Sequence, residues 1–190
     1  MEEILKKTLD DGEKLLWNGR PEIFETLDKT YKPIFIKKLI ISAAIGIFLT
    51  VGYILLAQKN DVPVKWGLFV ILWAFCALSP TGIFTDAKKL SRSTIYGMTD
   101  RRLITLIDTD TVRSVTFEKL EKMTFITDAD DHTSLICGTK AKKEASGNLR
   151  AEALSSVSLD DEEKCGRFVM YGIQKADKLR KLLADYLTEF

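Results

Sequence analysis

The sequence predicts an α+β protein: a two-helix transmembrane hairpin joined to an antiparallel β sandwich or small barrel that is capped by a C-terminal amphipathic helix. Three observations carry that reading. Residues 39–57 and 66–84 are uncharged apolar runs of nineteen residues each, one short polar turn apart. Short β-favouring runs separated by polar turns occupy much of residues 94–173, and after residue 175 the apolar positions recur at spacings of three and four.

At about 1.5 Å rise per residue, each apolar run can cross a hydrocarbon core of about 30 Å. A buried hairpin in a soluble core would show polar positions on one face of each helix, and neither run contains Asp, Glu, Lys, Arg or His. Backbone groups in lipid must be satisfied within the segment, which a helix does. Lys29, Lys32, Lys37 and Lys38 precede the first run, and Lys88, Lys89 and Arg92 follow the second, whereas the turn 58–65 holds only Lys59 and Lys65. Basic residues concentrate on cytoplasmic flanks, so both termini are expected in the cytoplasm. The first 38 residues are charged throughout, unlike a cleavable signal peptide.

Ser42, Gly46 and Thr50 recur every fourth residue in the first run, and Gly67, Ala74 and Ala77 or Leu78 approximate such a stripe in the second. Small residues let helices approach closely in lipid. The stripe is expected to pack the hairpin on itself, a homo-oligomer seam being the alternative. Pro80 falls in the last turn of the second span, where a missing N–H costs least. No ionisable group lies at depth to serve an ion pathway or proton relay.

In residues 1–32, a cytoplasmic segment too short for its own core, Leu15-Leu16-Trp17 before Asn18-Gly19 reads as a short strand ending in a turn that packs on the later domain. After the hairpin (33–85), the domain 90–190 is expected to form strands at 94–99, 102–108, 112–118, 122–127 and 133–137, and again at 150–158 and 167–173, with a charged loop at 139–148. From residue 175, Ala176, Leu179, Leu183, Tyr186, Leu187 and Phe190 mark one face of an amphipathic helix. Seven strands closed by one helix is the plan of the pleckstrin-homology superfold.

The 28 Lys and Arg nearly balance the 27 Asp and Glu, for a net charge of +1. Nucleic-acid binding needs a basic excess on one face, so no nucleic-acid partner is expected. Cys76 lies in a span, and Cys137 and Cys165 are far apart in cytoplasmic chain, where thiols stay reduced. With a single histidine, His132, and no Cys-x-x-Cys, neither a metal nor any other cofactor is expected. Asp128-Ala129-Asp130-Asp131-His132 lacks the glycine and the distal acid of a calcium loop and reads as a hairpin turn. Asp160-Asp161-Glu162-Glu163 reads as a repelling acidic loop, a protein-docking patch being the alternative. His132 has no nucleophile elbow or phosphate loop beside it, so no enzymatic activity is expected.

Tyr96-Gly97-Met98-Thr99-Asp100-Arg101-Arg102-Leu103-Ile104 resembles the hairpin of the bacterial pleckstrin-homology-like domain families. Those families often attach the domain to two membrane helices and begin with a segment similar to Gly12-Glu13-Lys14-Leu15-Leu16-Trp17-Asn18-Gly19-Arg20-Pro21. The resemblance implies a PH-like cytoplasmic domain and a multi-pass protein of the bacterial cell (inner) membrane. The dense basic strand-turn signature that phosphoinositide binding requires in the eukaryotic relatives is missing. Thr99-Asp100 can close a tight turn, with Asp100 pairing one arginine. The other arginine of Arg101 and Arg102, with Lys88, Lys89 and Arg92, is the candidate contact for anionic headgroups or a partner. The expected function is a non-enzymatic, membrane-anchored binding or scaffold module docking an unidentified protein or itself. An accessory subunit of a membrane transporter or efflux complex is the alternative.

Overall fold

The computed structural model describes residues 2–119, 123–138, 148–155 and 167–188. They form a mixed α+β protein with two long apolar helices and two antiparallel sheets. The chain makes two compact units: Thr26–Thr85, and a discontinuous unit that joins Met1–Glu25 to Asp86–Phe190.

The first unit is built on two helical rods. One is a single α-helix, Tyr31–Lys59; the other runs over Trp66–Ser93. The second rod comprises Trp66–Leu78, a 3-10 turn at Ser79–Thr81, and Gly82–Ser93, whose last residues already belong to the other unit. The turn falls on Pro80, which has no N–H to donate and whose ring crowds the carbonyl four residues back. The rods are 29 and 28 residues long, enough to cross a membrane, and they exceed the uncharged runs because polar flanks continue each helix. Phe48, Val70 and Phe75 are 77%, 71% and 70% exposed. Within the hairpin, the Ser42 hydroxyl donates to the Cys76 carbonyl at 2.8 Å. A methyl group at Gly46 would sit 3.1 Å from Cys76 Sγ. Ser42 and Gly46 therefore face the second helix as expected, but Gly67, Ala74 and Ala77 are exposed, so the second half of the stripe is not at the contact. The ring pairs Phe35 with Phe84 and Tyr53 with Phe69, with centroids 5.5 and 5.6 Å apart, lie there too.

The second unit begins with α1 (Glu2–Lys7), a helix the sequence reading did not anticipate, followed by β1 (Leu15–Gly19). We label Tyr31–Lys59 α2, Trp66–Leu78 α3 and Gly82–Ser93 α4. β2 (Thr94–Thr99), β3 (Arg102–Ile107) and β4 (Thr111–Thr116) follow, and the sheet order is β1-β2-β3-β4. β1 thus pairs with a strand from beyond the whole helical hairpin, Gly19 standing opposite Tyr96. A second sheet holds β5 (Met123–Thr127), β6 (Thr133–Cys137) and β7 (Phe168–Met170), and α6 (Ala176–Thr188) closes the chain. Among the described residues the sheets remain separate, apart from one bridge between Pro21 and Ile173.

Period-two alternation sends Tyr96, Met98, Leu103 and Val115 of the first sheet into one buried cluster with Leu135, Cys137, Phe168 and Met170 of the second and Leu179 and Leu183 of α6. On the opposite face of the first sheet, Ile95, Ile104 and Leu106 pack with Leu5 of α1. Coverage on both faces explains why every residue of β2 is buried. Burial pushes the Cys137 thiol up to about 12, so it remains a protonated core residue.

One predicted strand is a helix. Residues 150–158 were expected to be extended, but Leu149–Leu154 forms α5, with the Asn148 side chain accepting from the Ala151 N–H at 3.2 Å. Leu, Ala and Glu favour helix, and an asparagine cap fixes the start. Leu149 and Ala153, four apart, are both buried. Most of the loop expected at 139–148, the acidic run 160–163 and Cys165 lie outside the described residues.

Candidate functional site

α4 is amphipathic. Ile83, Ala87 and Leu90, at spacings of four and three, are buried, while Lys88, Lys89 and Arg92 are exposed. Lys89 Nζ lies 2.9 Å from Asp108 Oδ2, with both side chains about half exposed. The hydrogen bond from Lys89 holds the Asp108 carboxyl below its ordinary value. Asp108 occupies the left-handed region at φ 56° just after β3, and its N–H donates to the Ser93 carbonyl at 2.7 Å. The end of α4 is thereby fixed to the end of β3. Lys88 and Arg92 have no ion-pair partner among the described residues.

At the other end of the β2–β3 hairpin, Thr99 Oγ1 accepts the N–H groups of Arg101 and Arg102 at 3.1 and 2.9 Å. Asp100 turns toward the N-terminal segment: its Oδ1 accepts the Lys14 N–H at 3.0 Å, and its own N–H donates to the Lys14 carbonyl at 3.1 Å. Arg102 is held by that same segment. Its Nε and Nη2 grip the two carboxylate oxygens of Glu13 at 2.9 and 2.8 Å, and Nη2 also lies 3.1 Å from Asp10 Oδ2. Thr99 Oγ1 contributes another hydrogen bond to Glu13 at 2.7 Å. Burial alone would raise the Glu13 carboxyl, but the bonds from Arg102, the Asp10 N–H and Thr99 outweigh it and bring it down to about 2. The two motifs read from the sequence are therefore one lock, in which a forked guanidinium meets a carboxylate bidentately.

The five predicted cations do not form one site. Arg102 is structural, and Lys89 is paired. Arg101 is exposed at the turn end of the hairpin, while Lys88, Lys89 and Arg92 stand at its opposite end. The six residues of β2 lie between them, about 20 Å at 3.3 Å per residue.

Three buried arrangements escaped the sequence reading. Arg113, fully buried, donates through Nη1 to the Glu152 and Ala153 carbonyls at 3.2 and 2.9 Å, serving the open C-terminus of α5. Burial lowers its guanidinium from the ordinary value. Arg150, also fully buried, stacks over the Phe24 ring at 4.6 Å. Tyr96 Oη donates to the Tyr171 carbonyl at 2.8 Å and accepts the Tyr171 N–H at 3.0 Å.

His132 Nδ1 lies 2.6 Å from Glu22 Oε2, and its ring packs edge-on against Phe24 with centroids 5.6 Å apart. Asp128 closes the β5–β6 turn, its Oδ1 accepting the Asp130 and His132 N–H groups at 2.9 and 3.0 Å. Its Oδ2 accepts the Tyr171 hydroxyl at 2.7 Å. Among the described residues no three His, Cys, Asp or Glu side chains converge as a metal-binding group. No protein-family model, curated protein or solved structure matches this chain.

Proposed function

We propose that the chain is a non-enzymatic, membrane-anchored binding module: the α2–α3 hairpin spans the inner membrane of a bacterial cell, and the β unit, a PH-like domain, docks a protein partner at its cytoplasmic face. The observation that carries this reading is the insertion of the hairpin between β1 and β2, two hydrogen-bonded neighbours in one sheet. Both flanks of the hairpin belong to one folded unit, so a membrane-spanning hairpin must leave and return on the same side. The basic flanks favour the cytoplasm for that side. Four strands, then three, then a terminal helix support the PH-like reading, as do the two motifs that close on each other.

Among the described residues β5 pairs only with β6. An extended segment of a partner protein can add to such an edge through main-chain hydrogen bonds. The test is crosslinking in native membranes from a photoreactive residue placed at Thr124. A discrete adduct with one protein, lost when a proline at Ile126 blocks the edge, supports the reading; an adduct with a second copy makes the partner the chain itself. The reading fails if the protein is released by alkaline carbonate or if no adduct forms.

A further inference from the structure

Arg20 leaves the end of β1, and Lys175 and Lys178 stand at the start of α6. The two segments meet because the Gln174 N–H donates to the Arg20 carbonyl at 3.1 Å and the Gln174 side chain donates to the Pro21 carbonyl at 3.2 Å. Between them lies a groove of about 340 Å³, lined by Trp17, Asn18, Arg20, Gln174, Lys175 and Lys178 among others. That volume falls within the range of about 300–1,000 Å³ usual for small-ligand sites. Its lining holds three cations and no carboxylate, in a chain whose charges otherwise nearly cancel.

The three cationic side chains are exposed and have no hydrogen-bond or ion-pair partner among the described residues. The neighbouring acid on α6, Asp177, is 89% exposed and lies 3.9 Å from Arg180 instead. Three like charges around one concavity repel one another unless an anion occupies it. The guanidinium offers a planar fork and the two ammonium groups compact point charges, a combination suited to phosphate oxygens. Asn18 and Trp17 of β1 also belong to the lining.

We propose that this groove binds a phosphate-bearing anion. The phosphate belongs either to a free ion or to the headgroup of an anionic lipid. A neighbouring feature suits the second source: Ile23, three residues after Arg20, is 88% exposed. The site is distinct from the β5 edge and does not depend on protein docking there.

The test uses the full chain in dodecyl maltoside micelles, titrated calorimetrically with sodium phosphate and separately with dihexanoyl phosphatidylglycerol, at ionic strength held constant with sodium chloride. Saturable binding of either probe is expected, weakened about tenfold or more in R20Q/K175Q/K178Q and changed about twofold or less in K6Q/K7Q, which removes two exposed cations outside the groove. Binding of phosphate assigns the free ion as ligand; binding of phosphatidylglycerol alone assigns the lipid headgroup. Absence of saturable binding for both probes overturns the proposal, as does equal weakening in both variants, the mark of a diffuse basic surface. A reading independent of the charge variants comes from Trp17 fluorescence in a W66F/W73F chain, which should shift and saturate over the same concentrations. An unchanged Trp17 spectrum also overturns the site.

Discussion

The helical hairpin and the β unit solve opposite problems with the same chain. In Thr26–Thr85 most large apolar side chains are exposed, and the contact between the helices combines small residues, Ser42 and Gly46 against Cys76, with the ring pairs Phe35 with Phe84 and Tyr53 with Phe69. In the β unit large apolar side chains from both sheets and α6 meet in one buried cluster, and buried polar groups such as Glu13 and Tyr96 have specific partners. The contrast suits the two regions to different surroundings. A surface carrying Phe48, Val70 and Phe75 is costly in water and favourable in hydrocarbon, whereas the β unit derives its stability from excluding water.

The comparison breaks most sharply if charge is placed on the hairpin. Phe48→Arg combined with Phe75→Arg should cost about 3 kcal/mol apiece for insertion and release the protein from the membrane pellet on carbonate extraction. Arginine at exposed sites of the β unit, such as Thr109, should leave fractionation unchanged.

Within the β unit the largest effect is expected at the lock between the two motifs. Glu13→Ala removes the bidentate partner of Arg102 and should lower stability by about 2–3 kcal/mol, read from the urea midpoint in detergent. The same carboxylate shapes the acid limb. Its ordinary value of 4.5 falls to about 2 in the folded protein, so its contribution is complete above 4.5 and disappears as pH drops through about 2. Glu13→Gln should flatten the stability profile across that window, and an unchanged acid limb would remove Glu13 from the account.

Smaller losses follow from weaker partners. Tyr96→Phe removes both bonds to the Tyr171 backbone and should cost about 1–2 kcal/mol, with amide exchange accelerating at Tyr171. Lys89→Ala severs a half-exposed ion pair and should cost about 0.5 kcal/mol or less. A loss comparable with that of Glu13→Ala would mean that the end of α4 matters more to the β unit than its exposure indicates.

Local pattern made the hairpin legible, because uninterrupted hydrophobicity needs no partner to be recognised. It also marked β2, β3 and β6 closely, where alternation runs between clear turn residues. The stretch after Asn148 misled because the β-favouring Val157 further on drew the strand backward over Leu-Arg-Ala-Glu-Ala-Leu, a sequence with its own helix cap. The asparagine was the available signal. Arg113 offered none: it sits in a strand of ordinary composition, and its acceptors lie 39 and 40 residues away. The candidate site was legible residue by residue but not in space. Arg101 and Arg102 are adjacent in sequence, yet strand alternation exposes one and commits the other to Glu13. The groove at Arg20 joins residues more than 150 positions apart, a proximity no local pattern encodes.

Placing the apolar helices between β1 and β2 has a consequence for biogenesis. During translation β1 is complete before either helix exists, and its hydrogen-bonding edge must wait until Tyr96–Thr99 has been synthesised. The first sheet therefore cannot close until both apolar segments have been synthesised. A ribosome that stalls in between leaves an unpaired strand, so proteolytic resistance of the first sheet would report that synthesis has passed β2.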